Sequence, residues 1–356
     1  MVPGSIPNII LDAFCCNGVL NYFVADLRHR KNIKNILNYV VGPVVFCIVV
    51  FSIYQQIQRQ PNWKESFSHI ADNFGLQSFF RILLVIALMF LNWGIEARKW
   101  QLSLDHVQKI GLGRAFKGVL TGNTLALFTP NRVGEYVGRI IYVNEDNRLK
   151  AMPVTFVCSI AQIIVTLVAG LIGLKFLRTD SAKMGFNLNW FDPLWYMIAG
   201  AALITLLIYF RLSVAVRWFE KLPFLKNLKQ YLDVLMEFKA TILFRILSLS
   251  TGRYLVFILQ YYLLFTVFGV DISIWQSLWA VSVVFLALAI IPSIAVFTDL
   301  GIRWKTSIEL VTVYSSNTVG ILATSLAIWM INLVIPALIG SLLILSVKLF
   351  NDKSKD

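Results

Sequence analysis

An apolar helix that ends at a proline among charged residues constrains this chain most. Residues 121–139 read TGNTLALFTPNRVGEYVGR. Proline removes a backbone donor and clashes with the preceding turn, so we expect the helix to break near residues 128–130. A break at membrane depth requires that the freed backbone be buried in protein or line a wet cavity. Charged residues at such a break are candidates for function. The alternative is a cytoplasmic loop whose arginines only anchor the protein to lipid head groups.

The composition of the chain is typical of a membrane protein. Of its 356 residues, 58% are hydrophobic and only 14% are charged, and the mean hydropathy is +0.71. Soluble domains of this length do not have such a composition. The 32 Lys and Arg residues against 19 Asp and Glu give a net charge of +13. Because the basic residues lie between apolar runs, the excess indicates a cytoplasmic membrane face and not nucleic-acid binding.

The apolar runs predict an all-α, polytopic membrane helix bundle of about six to eight spans, with one or two re-entrant broken helices. The predicted spans are residues 39–57, 79–95, 152–176, 193–211, 243–268 and 275–292. Residues 116–129 are too few to cross a bilayer of ~30 Å at 1.5 Å per residue, so we predict a re-entrant helix there. Residues 308–350 fit two short passages or one re-entrant segment plus one long span. The lysines near the C-terminus favour the two passages.

A basic cluster before the first predicted span orients the chain. Arg28, Arg30, Lys31 and Lys34 predict that residues 1–37 form a cytoplasmic N-terminal segment. These residues do not resemble a signal peptide, because no basic residue precedes their apolar part. We expect residues 38–350 to form one transmembrane domain and residues 351–356 a short tail.

Polar residues within the predicted spans add candidates to the site. Asn92 and Glu96 are four residues apart and share one helical face, and Arg253 lies well inside an apolar run. We expect Arg253 to face the bundle interior or a cavity. The alternatives are snorkelling along neighbouring tyrosines for Arg253 and an interfacial ion pair for Glu96. Arg98, Lys99 and Trp100 are expected to anchor their helix end at the membrane interface.

A second interrupted apolar segment, residues 288–305, predicts a possible internal repeat. Each segment has an apolar helix followed by a proline, a glycine, an acid and an arginine. The first set is Pro130, Gly134, Glu135 and Arg132, and the second is Pro292, Gly301, Asp299 and Arg303. Interrupted apolar segments at matching places in two halves indicate a transporter-type binding site. A chance similarity is the alternative.

The sequence has no motif typical of an enzyme. It contains no Walker loop, dinucleotide fingerprint or nucleophile elbow. The three histidines are scattered without metal-ligand spacing, and the four cysteines do not indicate a disulfide framework. We therefore expect no catalytic activity, cofactor or metal.

Three motifs, NWGIEARKW, FTPNRVGEYVGR and IPSIAVFTDLGIR, resemble those of the lysylphosphatidylglycerol synthase transmembrane-region family, a flippase-like membrane module. The Pro-x-Arg-x-Gly-Glu element at residues 130–135 is the more specific part. The second element departs from the family's glycine-rich, Glu-ending form. The resemblance covers roughly residues 38–350. It implies a multi-pass protein of the bacterial inner membrane that handles lipids or lipid-linked head groups. Larger relatives continue into an aminoacyl-transferase domain, which we do not expect here.

The leading hypothesis is a protein that binds and translocates an anionic phospholipid or a polyprenyl-phosphate-linked lipid. Arginine suits this role because its planar fork binds phosphate oxygens in a bidentate manner. The predicted head-group residues are Arg132, Glu135, Arg139, Asn131, Thr129, Asn123, Arg253, Asp299, Arg303 and Glu96. One alternative is a secondary transporter of a small polar solute, with Glu135 or Asp299 as a proton carrier. Another is a non-catalytic membrane partner of a lipid- or glycan-modifying enzyme.

Overall fold

A computed structural model describes residues 75–127, 129, 132–183, 191–219, 229–291 and 296–346. These residues form helices and connecting turns, with no β-strand among them, which confirms the all-α prediction for this part of the chain. The predicted first span, the N-terminal segment, the C-terminal tail, Asn131 and the prolines at positions 130 and 292 lie outside the described residues.

The helices are numbered here in chain order. They are α1 (Leu76–Leu104), α2 (Leu112–Ala126), α3 (Gly134–Ile140), α4 (Arg148–Lys183), α5 (Phe191–Phe210), α6 (Leu212–Phe219), α7 (Lys229–Leu232), α8 (Ala240–Val267), α9 (Ile274–Ile290), α10 (Val296–Val311), α11 (Thr318–Trp329) and α12 (Ile335–Ser346). A π-helical turn, Met330–Val334, joins α11 to α12 without interrupting the helical path.

Five segments in the described part are long and apolar enough to cross a membrane. They are Leu76–Leu104, Glu145–Thr179, Asp192–Phe210, Ala240–Val267 and Thr318–Ile344. Helix α9 is also apolar but has only 17 residues. Long apolar helices in this number are those of a multi-pass membrane protein. The total of six to eight spans stays a prediction, because residues 39–57 are not described.

The favoured interpretation of the C-terminal region was wrong. Two short passages were expected over residues 308–350, whereas α10 is followed by one long helical segment, Thr318–Ile344. Pro336 lies within this segment but does not end it, because the π-helical turn Met330–Val334 precedes the proline and accommodates its missing N–H. The long span of the other alternative is present, whereas its re-entrant segment stays a prediction.

Helix α1 presents one face to the protein and the other to its surroundings. Buried residues recur every three to four positions from Val85 to Leu104, which is the period of an α-helix. This stripe includes Asn92, Glu96 and Lys99. The opposite face exposes Phe79, Phe80, Leu83, Leu84, Phe90 and Leu91. An apolar outer face with polar residues on the inner one is expected of a helix in a membrane bundle.

Helix α8 packs along α1 and also contacts α4, α9 and α11. Its Tyr254, Ile258, Tyr261 and Phe265 are buried in the main core together with Val85 of α1. The close packing of α8 on α1 sets Arg253 against the polar stripe of α1, as predicted for an arginine that faces the bundle interior.

Helices α2 and α3 form an antiparallel hairpin held together by glycines. A Cβ atom at Gly138 would lie 2.5 Å from the Cα atom of Gly122, and one at Gly134 would overlap the carbonyl oxygen of Leu125. The contacts therefore move back along α2 as the chain advances along α3. At the open end, the backbone N–H of Asn144 donates to Oε1 of Gln108 at 3.0 Å.

This hairpin has the geometry that a re-entrant segment requires. Helix α2 has 15 residues, and its length of about 22 Å is short of the ~30 Å hydrocarbon core. The chain also returns to the end from which it started, through the contact between Asn144 and Gln108. Its place in the bilayer stays a prediction, which a labelling experiment described below tests.

Candidate functional site

Glu96 of α1 lies at the centre of a buried ionic cluster. Its Oε2 atom lies 2.6 Å from Lys99 Nζ and accepts a hydrogen bond from Arg253 Nη1 at 2.7 Å. Its Oε1 atom accepts from Arg139 Nη2 at 2.8 Å. The side chain of Glu96 is 3% exposed, and those of Lys99 and Arg139 are 1% exposed. One carboxylate thus joins α1, α3 and α8.

Arg139, at the buried side of this cluster, has hydrogen-bond donors that no described residue accepts. Its Nη2 atom contacts both Glu96 and Glu135, whereas its Nε and Nη1 atoms have no hydrogen-bond partner in the described part of the chain. The ring of Trp100 lies 6.0 Å from its Cζ atom, at the limit of a cation–π contact. A buried donor without an acceptor costs about 1–3 kcal/mol. Acceptor oxygens from a ligand would remove that cost.

Arg132 lies at the exposed edge of the same cluster. Its side chain is 43% exposed, its Nε atom lies 3.5 Å from Glu135 Oε2, and its Nη2 atom donates to Asn123 Oδ1 at 3.2 Å. Among the non-glycine residues described, only Arg132 has a positive φ, of 60°. This left-handed conformation costs about 1–2 kcal/mol for a residue with a Cβ atom. Such strain is found preferentially at binding sites.

Three asparagines connect the ionic cluster to the π-helical turn Met330–Val334. Asn123 donates to the carbonyl oxygen of Leu333 at 3.1 Å. On the other side, Arg253 Nε donates to Asn92 Oδ1 at 2.7 Å, and Asn92 Nδ2 donates to Asn332 Oδ1 at 3.3 Å. Together with the peptide bond between Asn332 and Leu333, these contacts form a closed ring, the polar circuit. Its members are Glu96, Arg139, Glu135, Arg132, Asn123, Leu333, Asn332, Asn92 and Arg253.

The polar circuit, taken with Lys99, carries more positive than negative charge. It has four cations, namely Lys99 and three arginines, and two carboxylates, Glu96 and Glu135. The formal excess is therefore two positive charges. The guanidinium of Arg253 also lies 5.2 Å from the Trp93 ring and 5.5 Å from the Phe257 ring. A positive excess with little water around it attracts anions strongly.

Asp299 and Arg303 form a second, smaller cluster in α10. Arg303 Nη2 lies 3.3 Å from Asp299 Oδ2, and its Nη1 atom donates to the hydroxyl of Tyr261 at 2.9 Å. In the part of the chain that the structure describes, no hydrogen bond or ion pair joins these residues to the polar circuit. The spacing of Asp299 and Arg303 equals that of Glu135 and Arg139. The internal repeat itself stays a prediction.

Thr129 and Asn123, both predicted to bind a head group, also have structural contacts. The hydroxyl of Thr129 accepts from the N–H of Gly134 at 2.6 Å and donates to the carbonyl of Leu125 at 3.2 Å, which fixes the start of α3 on α2. Asn123 is fully buried between Arg132 and Leu333. Their direct contact with a ligand stays a prediction.

The prediction that Lys99 and Trp100 anchor α1 at the membrane interface was wrong. Lys99 is 1% exposed and bound to Glu96, and Trp100 is fully buried, with its Nε1 donating to Thr155 Oγ1 at 3.0 Å. The reason is that α1 continues to Leu104 as a packed helix, with α2 and α4 covering this turn. Of the basic pair, Arg98 is exposed and bonds to Gln101.

Lys99 and Asn332 are the functional candidates that the sequence interpretation missed. Lys99 is three residues after Glu96, on the same helical face, which is a signal for an ion pair. Asn332 is four residues before Pro336, so it lies where a proline frees a backbone carbonyl. The hairpin also had a signal, since Gly118 and Gly122 in α2 and Gly134 and Gly138 in α3 each have the small-xxx-small spacing of close helix contacts.

A comparison with known protein families finds none that matches this chain, and a search of curated proteins finds no match either.

Proposed function

We propose that this multi-pass membrane protein binds an anionic lipid head group at the polar circuit and moves it across the membrane, in the manner of a flippase. Membership of the lysylphosphatidylglycerol synthase transmembrane-region family is part of the proposal. The observation that carries it is Arg139, which is almost fully buried in a positively charged cluster while its Nε and Nη1 atoms have no protein partner there. Guanidinium N–H groups at such a position suit phosphate oxygens.

Glu135 gives this site a route from its exposed edge to its buried end. It is bound at once by Arg132, which is 43% exposed, and by Arg139, which is 1% exposed. A phosphate arriving at Arg132 replaces one contact of Glu135, and a second replacement brings it to Arg139. Each exchange substitutes one acceptor for another, so no arginine is left without an acceptor on the way.

The surface beside Arg132 supports a lipid ligand over a small solute. Val133 and Val137 point outward from the start of α3 and are 53% and 44% exposed, whereas Glu135 and Arg139 point inward. The head-group site thus adjoins an apolar surface on which acyl chains can remain while the head group binds. A carrier of a small solute has no need of such lateral access.

Native mass spectrometry of protein purified in mild detergent with added phosphatidylglycerol tests the binding. Wild-type protein is expected to retain the lipid, and Arg132→Ala to lose at least about tenfold in affinity, or 1.4 kcal/mol. Arg132→Lys is also expected to bind less, because a point charge does not replace a planar fork. The matched control is Lys305→Ala, which removes a cation that is 80% exposed and outside the polar circuit.

Translocation is measured with the same variants in liposomes. Wild-type protein is expected to accelerate the movement of fluorescently labelled phosphatidylglycerol between leaflets, as is Lys305→Ala, whereas Arg132→Ala is not. Equal lipid retention and equal transfer by wild type and Arg132→Ala would overturn the proposal. Retention without transfer by wild type would reduce the protein to a lipid-binding one.

A further inference from the structure

The charge balance of the polar circuit constrains how many negative charges the ligand carries, and not only the sign of its charge. Lys99, Arg132, Arg139 and Arg253 face only Glu96 and Glu135 as charged partners within the described part of the chain. The other titratable side chains of this region are two tyrosine hydroxyls and the Cys158 thiol: Tyr136 is bonded to Ser159, Tyr142 to Thr121, and Cys158 to Ser103. Among the residues that the structure describes, two positive charges therefore have no counter-charge, and three of the four cations are at least 86% buried.

We propose that the head group bound here ends in a terminal phosphate with two negative charges, as in a phosphomonoester lipid. The inference rests on the proposed function and specifies its substrate class. A phosphodiester head group brings one negative charge and leaves one buried cation uncompensated. A zwitterionic or cationic head group leaves both excess positive charges uncompensated. Only a dianion neutralises the site, and an uncompensated charge is costly where water is excluded.

The donors of the site agree with this assignment. A terminal phosphate offers three strong acceptor oxygens, whereas a phosphodiester offers two that are free of ester bonds. Arg139 contributes its unpaired Nε and Nη1 atoms, and Arg132 contributes an exposed guanidinium. The two arginines that contact Glu135 thus have N–H groups for all three oxygens without giving up their contacts with Glu96 and Asn123.

The inference is tested with protein reconstituted in phosphatidylcholine nanodiscs that are doped with either phosphatidic acid or phosphatidylglycerol, by measuring how tightly the protein binds each doped lipid. At pH 8 the wild-type protein is expected to prefer phosphatidic acid at least tenfold. A phosphomonoester loses its second charge near pH 6, so the preference is present above that pH and falls as the pH is lowered through it. Binding of phosphatidylglycerol, which keeps one charge throughout, serves as the reference at each pH.

One substitution changes the charge balance directly. Arg132→Gln reduces the excess from two positive charges to one and keeps a polar side chain at an exposed position. It is expected to reduce the preference for phosphatidic acid to less than threefold. Lys305→Gln removes a cation elsewhere and is expected to keep the full preference.

The outcomes separate this inference from the proposed function. Equal binding of the two lipids at pH 8 by wild-type protein overturns the dianion assignment and leaves the lipid function intact. Binding of neither lipid overturns both. Inorganic phosphate that binds to protein in empty nanodiscs as tightly as phosphatidic acid binds, and displaces it, overturns the lipid function but supports the dianionic site. Displacement of phosphatidic acid only at millimolar phosphate supports the lipid as ligand.

Discussion

At the scale of single residues, Arg132 and Arg139 both bind the carboxylate of Glu135, but Arg132 is partly exposed and Arg139 is buried. Arg139 is fixed by Glu96 and Glu135 in the interior, and its removal would leave both acids with fewer partners. Arg132 is half exposed and held in a strained backbone conformation, with a weaker contact to Glu135. Breaking a buried ion pair costs about 3–5 kcal/mol. Arg132 is therefore the better position for separating function from stability.

Replacing Arg132 by glycine or alanine tests the strain. Both variants remove the guanidinium and are expected to lose lipid binding. Arg132→Gly is expected to be more stable than Arg132→Ala by about 1–2 kcal/mol, because glycine adopts φ near 60° without a Cβ clash. Thermal unfolding in the same detergent measures the difference. Equal stability of the two variants would contradict a left-handed backbone at this position.

Much of the ionic cluster was accessible from the sequence, and part of it was not. Glu135 and Arg139 are four residues apart in one helix, so their contact follows from spacing alone. Arg253 and Glu96 were candidates because charges within apolar runs need partners, but their pairing depends on how α8 packs on α1. The burial of Lys99 was not predicted, because a basic residue near a helix end has the same sequence pattern whether it lies at the interface or inside.

At the scale of secondary structure, the hairpin of α2 and α3 positions both arginines of the motif. The helices approach closely because Gly122 and Gly138 have no side chains at their contact. Asn123 and Thr124 of α2 then reach backbone carbonyls of the final helical segment, at Leu333 and Ala337. The hairpin and the π-helical turn are thus held together by the same residues that border the polar circuit.

Gly138→Ala tests the close approach. Its Cβ atom would lie 2.5 Å from the Cα atom of Gly122, so the two helices must separate, at a cost of about 1–3 kcal/mol. The matched control is Gly94→Ala in α1, where no atom lies within 4 Å of the added Cβ. It is expected to be neutral or stabilising by up to about 1 kcal/mol. Thermal unfolding and lipid retention measure both, and equal stability of the two variants would contradict the hairpin contact.

Cysteine labelling tests whether the hairpin enters and leaves the membrane on one side. In a background without the four native cysteines, Gly113→Cys at the start of the hairpin and Asp146→Cys after it place exposed thiols at its two ends. Both are expected to react with a membrane-impermeant reagent from the cytoplasmic side only. Labelling of the two positions from opposite sides would make α2 part of a crossing segment and remove the re-entrant interpretation.

The long helices were predictable from hydropathy, whereas the irregular turns were not. The four described spans expected between residues 79 and 268 each coincide with a helix of the structure, two of them ending one residue beyond it, because long apolar runs have few alternatives in a membrane. A π-helical turn differs from an α-helix by one residue in its hydrogen-bond register and has no distinct hydrophobic pattern. For that reason Asn332 and Leu333 were not expected at the site.

At the scale of the whole described bundle, the outer surface is apolar, and the polar circuit lies inside among apolar core residues. Helix α5 exposes Leu203, Ile204 and Leu207. The polar circuit instead draws on residues from α1, α2, α3, α8 and the π-helical turn. A lipid bound to the outer surface alone therefore contacts different helices from a lipid whose head group enters the circuit.

Photocrosslinking uses this difference to locate the head group. An anionic phospholipid with a diazirine next to its phosphate is bound to the purified protein and activated, and peptide mass spectrometry identifies the modified residues. The account predicts labels in residues 121–139 and 330–337, which are lost in Arg132→Ala and retained in Lys305→Ala. Labels confined to outward-facing residues such as those of α5, and unchanged by Arg132→Ala, would contradict it.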